Sequence, residues 1–114
     1  MESAAAVQIL AALGQSTRLD TYRLLVRAGP EGLPASEMAA AIGVPRNTMS
    51  SHLGILTRAG LIEAERSSRH IIYRPVLEQL MGLTAFLIDG CCGGRPDLCE
   101  PLLTNIRTLG LSNE

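Results

Sequence analysis

Three cysteines lie close together near the carboxyl end of the 114-residue chain, at Cys91, Cys92 and Cys99. The residues between them are mostly Gly, Pro, Arg and Asp, so the cysteines do not belong to an apolar face on which they would serve as small hydrophobic residues. Trivalent arsenic is a soft centre that binds three thiolates in a pyramid, and its lone pair occupies the fourth direction. The cluster therefore predicts a site for As(III) (arsenite), with Sb(III) or methylarsenite as related ligands.

Other thiophilic metals and thiol oxidation are the alternative chemistries of this cluster. Zinc prefers four tetrahedral ligands, so a zinc site would have to recruit Asp89, Asp97, a histidine or a second subunit. The α-carbons of the adjacent Cys91 and Cys92 are about 3.8 Å apart, which is shorter than the roughly 4.4 Å lower bound for a disulfide. A disulfide between Cys99 and either of them remains an alternative, and such a pair would make the protein a redox sensor.

A second set of chemically competent side chains follows Pro45, at the start of a predicted helix. Helical spacing places Met49, Leu53 and Leu56 on one face of this helix. The opposite face presents the polar residues Arg46, Asn47, Thr48, Ser50, Ser51 and His52. Arg and Asn side chains pair bidentately with guanine and adenine edges, and hydroxyls bond to phosphates or bases. We therefore predict that this helix reads the major groove of DNA.

The hairpin after this helix is predicted to be a second DNA-contacting element. Two short β-type runs, residues 61–65 and 70–74, are separated by a polar connector at residues 66–69 that holds Arg66 and Arg69. These two arginines are expected to reach the flanking backbone or the minor groove. A short helix, a glycine turn at Gly43, a second helix and a basic hairpin together are typical of a winged helix-turn-helix.

The charge of the chain is informative in its distribution rather than in its sum. The net charge is −1 and the pI is about 6.1, so the whole molecule has no dominant basic footprint. Between residues 46 and 74, however, five arginines stand against two glutamates, which gives a local net charge of +3. Every basic group is an arginine, a residue suited to forked contacts with phosphate or guanine. A solvated charged face remains the alternative interpretation of charge alone.

The hydrophobic pattern predicts a mainly α fold with a small β-hairpin (α+β). Helices are expected over residues 3–14, 16–28, 35–42, 46–59 and 76–88, with a turn at 31–34 and a weak helix at 101–109. Ser16 is the expected cap of the second helix. The apolar stripes of the first three helices are then as follows: Val7, Ile9, Leu10 and Leu13; Leu19, Tyr22, Leu25 and Val26; Met38, Ala39 and Ile42.

One compact domain accounts for the length of the chain. Residues 1–90 are expected to form the DNA-binding and dimerisation part, and residues 91–114 a cysteine loop and short helix of the same domain. The 46% hydrophobic content with only 3% aromatics, and a fifth helix that is apolar nearly all round, predict a homodimer interface. No run is long enough for a membrane span, and no basic signal region precedes the first helix. We therefore expect a cytoplasmic location.

These residues resemble the ArsR/SmtB family of arsenic- and metal-responsive repressors over residues 11–73. The matching segments are Leu13-Gly14-Gln15-Ser16-Thr17-Arg18-Leu19, residues 39–43, Thr48-Met49-Ser50-Ser51-His52-Leu53, residues 56–62 and Ile71-Ile72-Tyr73. The resemblance implies a homodimer joined through the first and fifth helices, which binds operator DNA and loses affinity when its ligand binds. It also implies a structural or DNA-proximal role for His52.

The chain departs from the family pattern at the ligand site. Many members carry a cysteine box at the start of the third helix, where this chain has Gly32-Leu33-Pro34-Ala35-Ser36-Glu37, and others carry Asp/His ligands on the fifth helix. Neither site is present, so thiol sensing would have to use Cys91, Cys92 and Cys99. A downstream motif of two adjacent cysteines and a third resembles the variable arsenite sites of some members.

An arsenite-responsive repressor is therefore the expected function, and two rivals of other classes stand beside it. A thiol enzyme, such as an arsenate reductase, is disfavoured because no phosphate-cradling loop or Cys-x-x-Cys surrounds the cysteines. Neither His52 nor His70 is evidently oriented for nucleophilic catalysis. The other rival is a winged helix that binds proteins and never DNA.

Overall fold

The structure is a computed structural model that describes residues 1–89, of which residues 1–83 form one compact unit. Its helices are α1 (Ser3–Leu13), α2 (Ser16–Ala28), α3 (Ala35–Ile42), α4 (Arg46–Arg58) and α5 (Leu77–Asp89). Its strands are β1 (Leu33–Pro34), β2 (Ile62–Ser67) and β3 (His70–Pro75), and a 3-10 turn covers Gly29–Glu31. The predicted domain boundary after residue 90, the cysteine loop and the helix at 101–109 lie outside the described residues. Within the described residues no helix is long and apolar enough to cross a membrane.

The predicted limits of the helices are confirmed to within a residue or two, but the predicted cap of α2 is wrong. Gln15, not Ser16, occupies the N-cap position of α2. Its side-chain oxygen accepts a hydrogen bond from the backbone N–H of Arg18 at 2.9 Å. Glutamine is not among the residues that usually cap helices, whereas serine is. The sequence therefore favoured Ser16 as the cap.

The core faces of α1 and α2 differ from the predicted stripes. In α1 the buried residues are Ala6, Ile9 and Ala12, whereas Val7 and Leu10 are 64% and 45% exposed. In α2 the buried residues include Tyr22 and Leu25. Leu19 and Val26 of the same helix are 41% and 39% exposed. The small side chains of Ala6 and Ala12 allow α1 to pack closely through the face that also buries Ile9, which leaves Val7 and Leu10 on the surface.

The helix-turn-helix has the predicted form. α3 ends at Gly43, which adopts a left-handed conformation at φ 84°, ψ 36°, and its N–H bonds to the carbonyl of Ala39 at 2.9 Å. A Cβ is unfavourable in this conformation, which is why helices often end in glycine. Pro45 then precedes α4 as its N-cap residue in extended conformation. Met49, Leu53 and Leu56 of α4 are buried as predicted.

The sheet has three strands rather than the predicted two, in the order β1-β3-β2. Leu33 and Pro34, expected in a turn, pair antiparallel with Tyr73 and Ile72 of β3. A proline is compatible with an edge strand because one side of that strand needs no ladder hydrogen bonds. Gly32 leads into β1 at φ 71°, and a Cβ there would overlap the Tyr73 carbonyl. The close approach of β1 to β3 therefore requires glycine.

The wing is formed by β2 and β3, and its turn is tighter than predicted. Pairing continues to Ser67 opposite His70, so only Ser68 and Arg69 form the turn, and Ser68 has φ 60°. Arg66, predicted in the connector, lies within β2 opposite Ile71. The observed architecture is a winged helix-turn-helix, mainly helical with a small antiparallel sheet, as predicted.

Candidate nucleic-acid interface

The DNA-reading residues predicted on α4 are brought together on one side of that helix. Arg46, Asn47, Ser50 and Ser51 are exposed, while Thr48 and His52 are half-buried at the edge of this face. The helix is held against the core from the opposite side, where Met49, Leu53 and Leu56 are at most 1% exposed. We call the six polar residues, Arg46, Asn47, Thr48, Ser50, Ser51 and His52, the recognition face.

Arg46 is the first residue of the recognition face, and its positive charge is available to a partner. Within residues 1–89 its guanidinium has no ion pair or side-chain hydrogen bond. It is exposed and lies directly after Pro45, at the end of the helix where backbone N–H groups also point outward. The guanidinium and these N–H groups together favour an anionic or hydrogen-bond-accepting partner.

Asn47 and Ser51 are engaged with the backbone of α4 itself. The Asn47 side-chain oxygen accepts from the N–H of Thr48 at 3.0 Å, and the Ser51 hydroxyl donates to the Asn47 carbonyl at 3.3 Å. A bidentate contact of Asn47 with an adenine needs both its oxygen and its amide nitrogen. Asn47 must therefore turn away from its own backbone before it can make that contact.

His52 is connected to α1 through an arginine that sequence reasoning missed. Arg18 of α2 lies half-buried, with its Nη1 3.3 Å from Nδ1 of His52. Its Nε donates to the carbonyl of Ala12 at 2.7 Å, and its Nη2 donates to the carbonyl of Ala11 at 3.5 Å. The guanidinium thus caps the carboxyl end of α1, where carbonyls lack helical partners. No short-range pattern reveals a contact between residues 34 positions apart.

The arginines of the wing divide into two groups. Arg66 and Arg69 are exposed, as a DNA contact requires. Arg74 is instead part of the fold, because it bonds to the Pro30 carbonyl at 2.8 Å and pairs with Glu65 at 3.3 Å. The positive charge available to a partner is therefore concentrated at the tip of the wing rather than along β3.

The predicted metalloid ligands Cys91, Cys92 and Cys99 lie outside the described residues. Among residues 1–89 there is no group of three or more His, Cys, Asp or Glu side chains that could hold a metal ion. His52 faces Arg18, and His70 is exposed at the start of β3. The structural or DNA-proximal role expected for His52 stays a prediction.

Known proteins resemble this chain in sequence. A family model described as a helix-turn-helix domain matches residues 13–65. The HTH-type transcriptional regulator NmtR of Mycobacterium tuberculosis is 37% identical over 76 residues, which make up 64% of this chain and 61% of that protein. The chain thus spans about three fifths of the length of this relative.

Solved structures resemble the chain in fold as well. An ArsR-like transcriptional regulator from Rhodococcus sp. RHA1 matches with a TM-score of 0.69 at 27% identity, over 90% of this chain and 92% of that one. A possible transcriptional regulator for arsenical resistance matches with a TM-score of 0.61 at 29% identity, over 70% of this chain and 79% of that one. Together these matches confirm the resemblance to ArsR/SmtB-family regulators that was inferred from the residues. The matched proteins are transcriptional regulators, which are not enzymes.

Proposed function

We propose that this chain is a transcriptional repressor that binds operator double-stranded DNA as a homodimer and releases it when As(III) binds Cys91, Cys92 and Cys99. The observation that carries the DNA-binding part is the recognition face of α4, exposed on a helix whose other side is fixed in the core. Arg66 and Arg69 on the wing extend this surface toward the flanking phosphates. The similarity to ArsR-like transcriptional regulators supports the same function.

The homodimer is supported by exposed apolar side chains on α1 and α5. Val7 and Leu10 of α1 and Leu77 and Met81 of α5 are each between 45% and 68% exposed. Met1, which precedes α1, has its terminal methyl 3.2 Å from the position of a Cβ on Gly82 of α5. Exposed apolar side chains of this size favour association with a second copy. The two recognition helices of such a dimer would read half-sites about 34 Å apart.

As(III) is the proposed inducer because three thiols in one short segment match its three-coordinate chemistry. The match to a possible regulator for arsenical resistance favours the same ligand class. The cysteines follow α5 in the chain, so closing a metalloid site there would strain or reorient that helix. A changed α5 would alter the spacing of the two recognition helices and lower the affinity for the operator.

The DNA-binding part is tested by replacing Arg46 and a matched arginine outside the recognition face. Arg46→Ala should lower the affinity for DNA from upstream of the gene by about 5- to 150-fold, since a bidentate contact contributes about 1–3 kcal/mol. Arg23→Ala, an exposed arginine on α2, is the control and should bind as the unchanged protein does. Equal affinities of all three proteins would favour a winged helix that binds another partner.

The inducer part is tested by calorimetric titration of the reduced protein with arsenite. We expect one As(III) per cysteine set, and loss of binding in the Cys91/Cys92/Cys99→Ser triple variant. Zinc titrations and peroxide treatment separate the two alternatives. Tight zinc binding without arsenite binding would indicate another metal sensor, whereas DNA release by peroxide alone would indicate a redox sensor.

A further inference from the structure

The contact between Arg18 and His52 has a defined direction. An arginine side chain carries five N–H donors and no acceptor. The Nη1 of Arg18 lies 3.3 Å from Nδ1 of His52, so Nδ1 must be the acceptor in this hydrogen bond. A neutral imidazole has one N–H, and that hydrogen is then on Nε2. The geometry therefore assigns the Nε2–H tautomer to His52.

The guanidinium that sets this tautomer is itself held in place. Its Nε and Nη2 donate to the carbonyls of Ala12 and Ala11, at 2.7 Å and 3.5 Å. Only its Nη1 faces α4, and the planar fork allows little adjustment of that direction. The imidazole ring is consequently oriented relative to the carboxyl end of α1 as well as relative to α2.

The other nitrogen of the ring is left available at the edge of the recognition face. His52 directly follows the exposed Ser51 and is half-buried. The Nε2 of His52 has no hydrogen bond to any other described residue. A fully buried nitrogen without a partner would stand beside the Tyr22 hydroxyl, which is the one such side-chain atom among the described residues. Because Nε2 is not such an atom, solvent reaches it. A single donor at the edge of the face suits a phosphate oxygen better than a base edge.

We propose that Arg18 is a positioning residue for DNA binding, which holds His52 as its Nε2–H tautomer so that the ring donates a hydrogen bond to a phosphate of the DNA backbone. This inference rests on the proposed DNA-binding function. It assigns His52 a backbone contact rather than a part in reading base sequence. The loss of this contact should therefore weaken binding to every DNA sequence by a similar factor.

The tautomer is tested first, by long-range ¹H–¹⁵N NMR of the imidazole in the free full-length chain. We expect the Nε2–H form to dominate. In Arg18→Lys, whose single ammonium cannot replace the three-way fork, the preference should weaken, whereas Arg23→Lys on the same helix should leave it unchanged. A dominant Nδ1–H form in the unchanged protein would overturn the inference.

The DNA contact is tested with two variants of His52 that need no change in Arg18. His52→Asn keeps an acceptor near the position of Nδ1 but is too short to place a donor at the position of Nε2, and should lower DNA affinity about ten-fold. His52→Gln places an amide N–H near the position of Nε2 and should restore most of that loss. Both factors should be the same on operator and unrelated DNA.

The outcomes separate this inference from the function on which it rests. Operator binding by the unchanged protein with no loss in His52→Asn would overturn the inference alone. A loss confined to operator DNA would also overturn it, because His52 would then read bases. No DNA binding by the unchanged protein would overturn the proposed function and the phosphate contact together. If Arg18→Lys lowered the melting temperature but changed neither the tautomer of His52 nor the DNA affinity, Arg18 would only cap α1, and its proposed positioning role would be wrong.

Discussion

The side-chain amide of Gln79 fills the space in which a side chain on Gly60 would begin. An ideal Cβ built on Gly60 would lie 2.8 Å from the Nε2 of Gln79. From this position Gln79, in the first turn of α5, donates to the carbonyl of Ala59 at 3.0 Å. Ala59 is the C-cap residue of α4, so the contact joins the end of the recognition helix to the helix that precedes the cysteines.

Gly60→Ala is expected to destabilise the protein. Gly60 has φ 78°, and a residue with a side chain in that conformation costs about 1–3 kcal/mol. The new methyl would also displace Gln79 from Ala59. Urea unfolding should report a loss of this size in the free energy of unfolding.

Gly54 provides the matched control for this change. It lies within α4, and a Cβ there would meet only the Arg58 guanidinium, at an ordinary 3.5 Å. Gly54→Ala should therefore raise the free energy of unfolding by about 0.5–1 kcal/mol, as expected for alanine in a helix. Equal effects of the two substitutions would contradict the account of Gly60.

Tyr22→Phe is expected to leave the free energy of unfolding unchanged or to raise it by about 1 kcal/mol. Tyr22 is 3% exposed, and its hydroxyl has no hydrogen-bond partner among the described residues. Thr21→Val is the contrast, since the Thr21 hydroxyl donates to the Thr17 carbonyl at 2.7 Å and its removal should cost about 1 kcal/mol. Chemical denaturation of both variants measures the difference. A large loss in Tyr22→Phe would mean that the hydroxyl is satisfied.

The same tyrosine predicts a pH dependence in alkaline solution. Burial raises the pKa of Tyr22 above its ordinary value of 10.0, because the phenolate is poorly solvated inside the protein. The folded protein therefore retains a proton that the unfolded chain loses, and stability falls as the pH rises above 10. Relative to Tyr22→Phe, the unchanged protein should lose unfolding free energy in that range. Parallel pH profiles for the two proteins would rule out this role of Tyr22.

Arg69→Ala should weaken DNA binding equally for operator and unrelated sequences. Arg69 lies in the turn of the wing, where it is exposed and suited to a phosphate contact. Loss of one such contact reduces the slope of log K against log salt by about 1. Fluorescence anisotropy at several salt concentrations measures the slope. Arg23→Ala should keep the original slope, and an unchanged slope in Arg69→Ala would place the wing away from the DNA.

Local sequence signals were sufficient to predict most of the secondary structure. Glycines at 14 and 43 mark the ends of α1 and α3, and the spacing of Met49, Leu53 and Leu56 identifies the buried side of α4. The recognition face follows directly from that spacing, because the polar residues between these positions must point away from the core. This part of the site was therefore predictable without knowledge of the tertiary fold.

Features that depend on distant partners were missed. β1 contains two residues, one of them proline, and becomes a strand only through its pairing with β3. Val7 and Leu10 carry the apolar signal of a core stripe, yet neighbouring alanines pack inward instead. In the sequence alone, Arg18 looks like an ordinary surface arginine of α2. Its contacts with α1 and α4 exist only in the folded protein. In each case the deciding contact joins segments that no local pattern connects.

The most direct test of the proposed function is an anisotropy titration of the reduced protein on DNA from upstream of its own gene, with and without arsenite. We expect arsenite to lower the DNA affinity by about 5–150-fold, the usual range of allosteric coupling. The Cys91/Cys92/Cys99→Ser variant should bind the DNA equally well under both conditions. By linkage, the DNA should weaken arsenite binding by the same factor. DNA binding that arsenite leaves unchanged in the native chain would contradict the proposal that these three cysteines sense As(III).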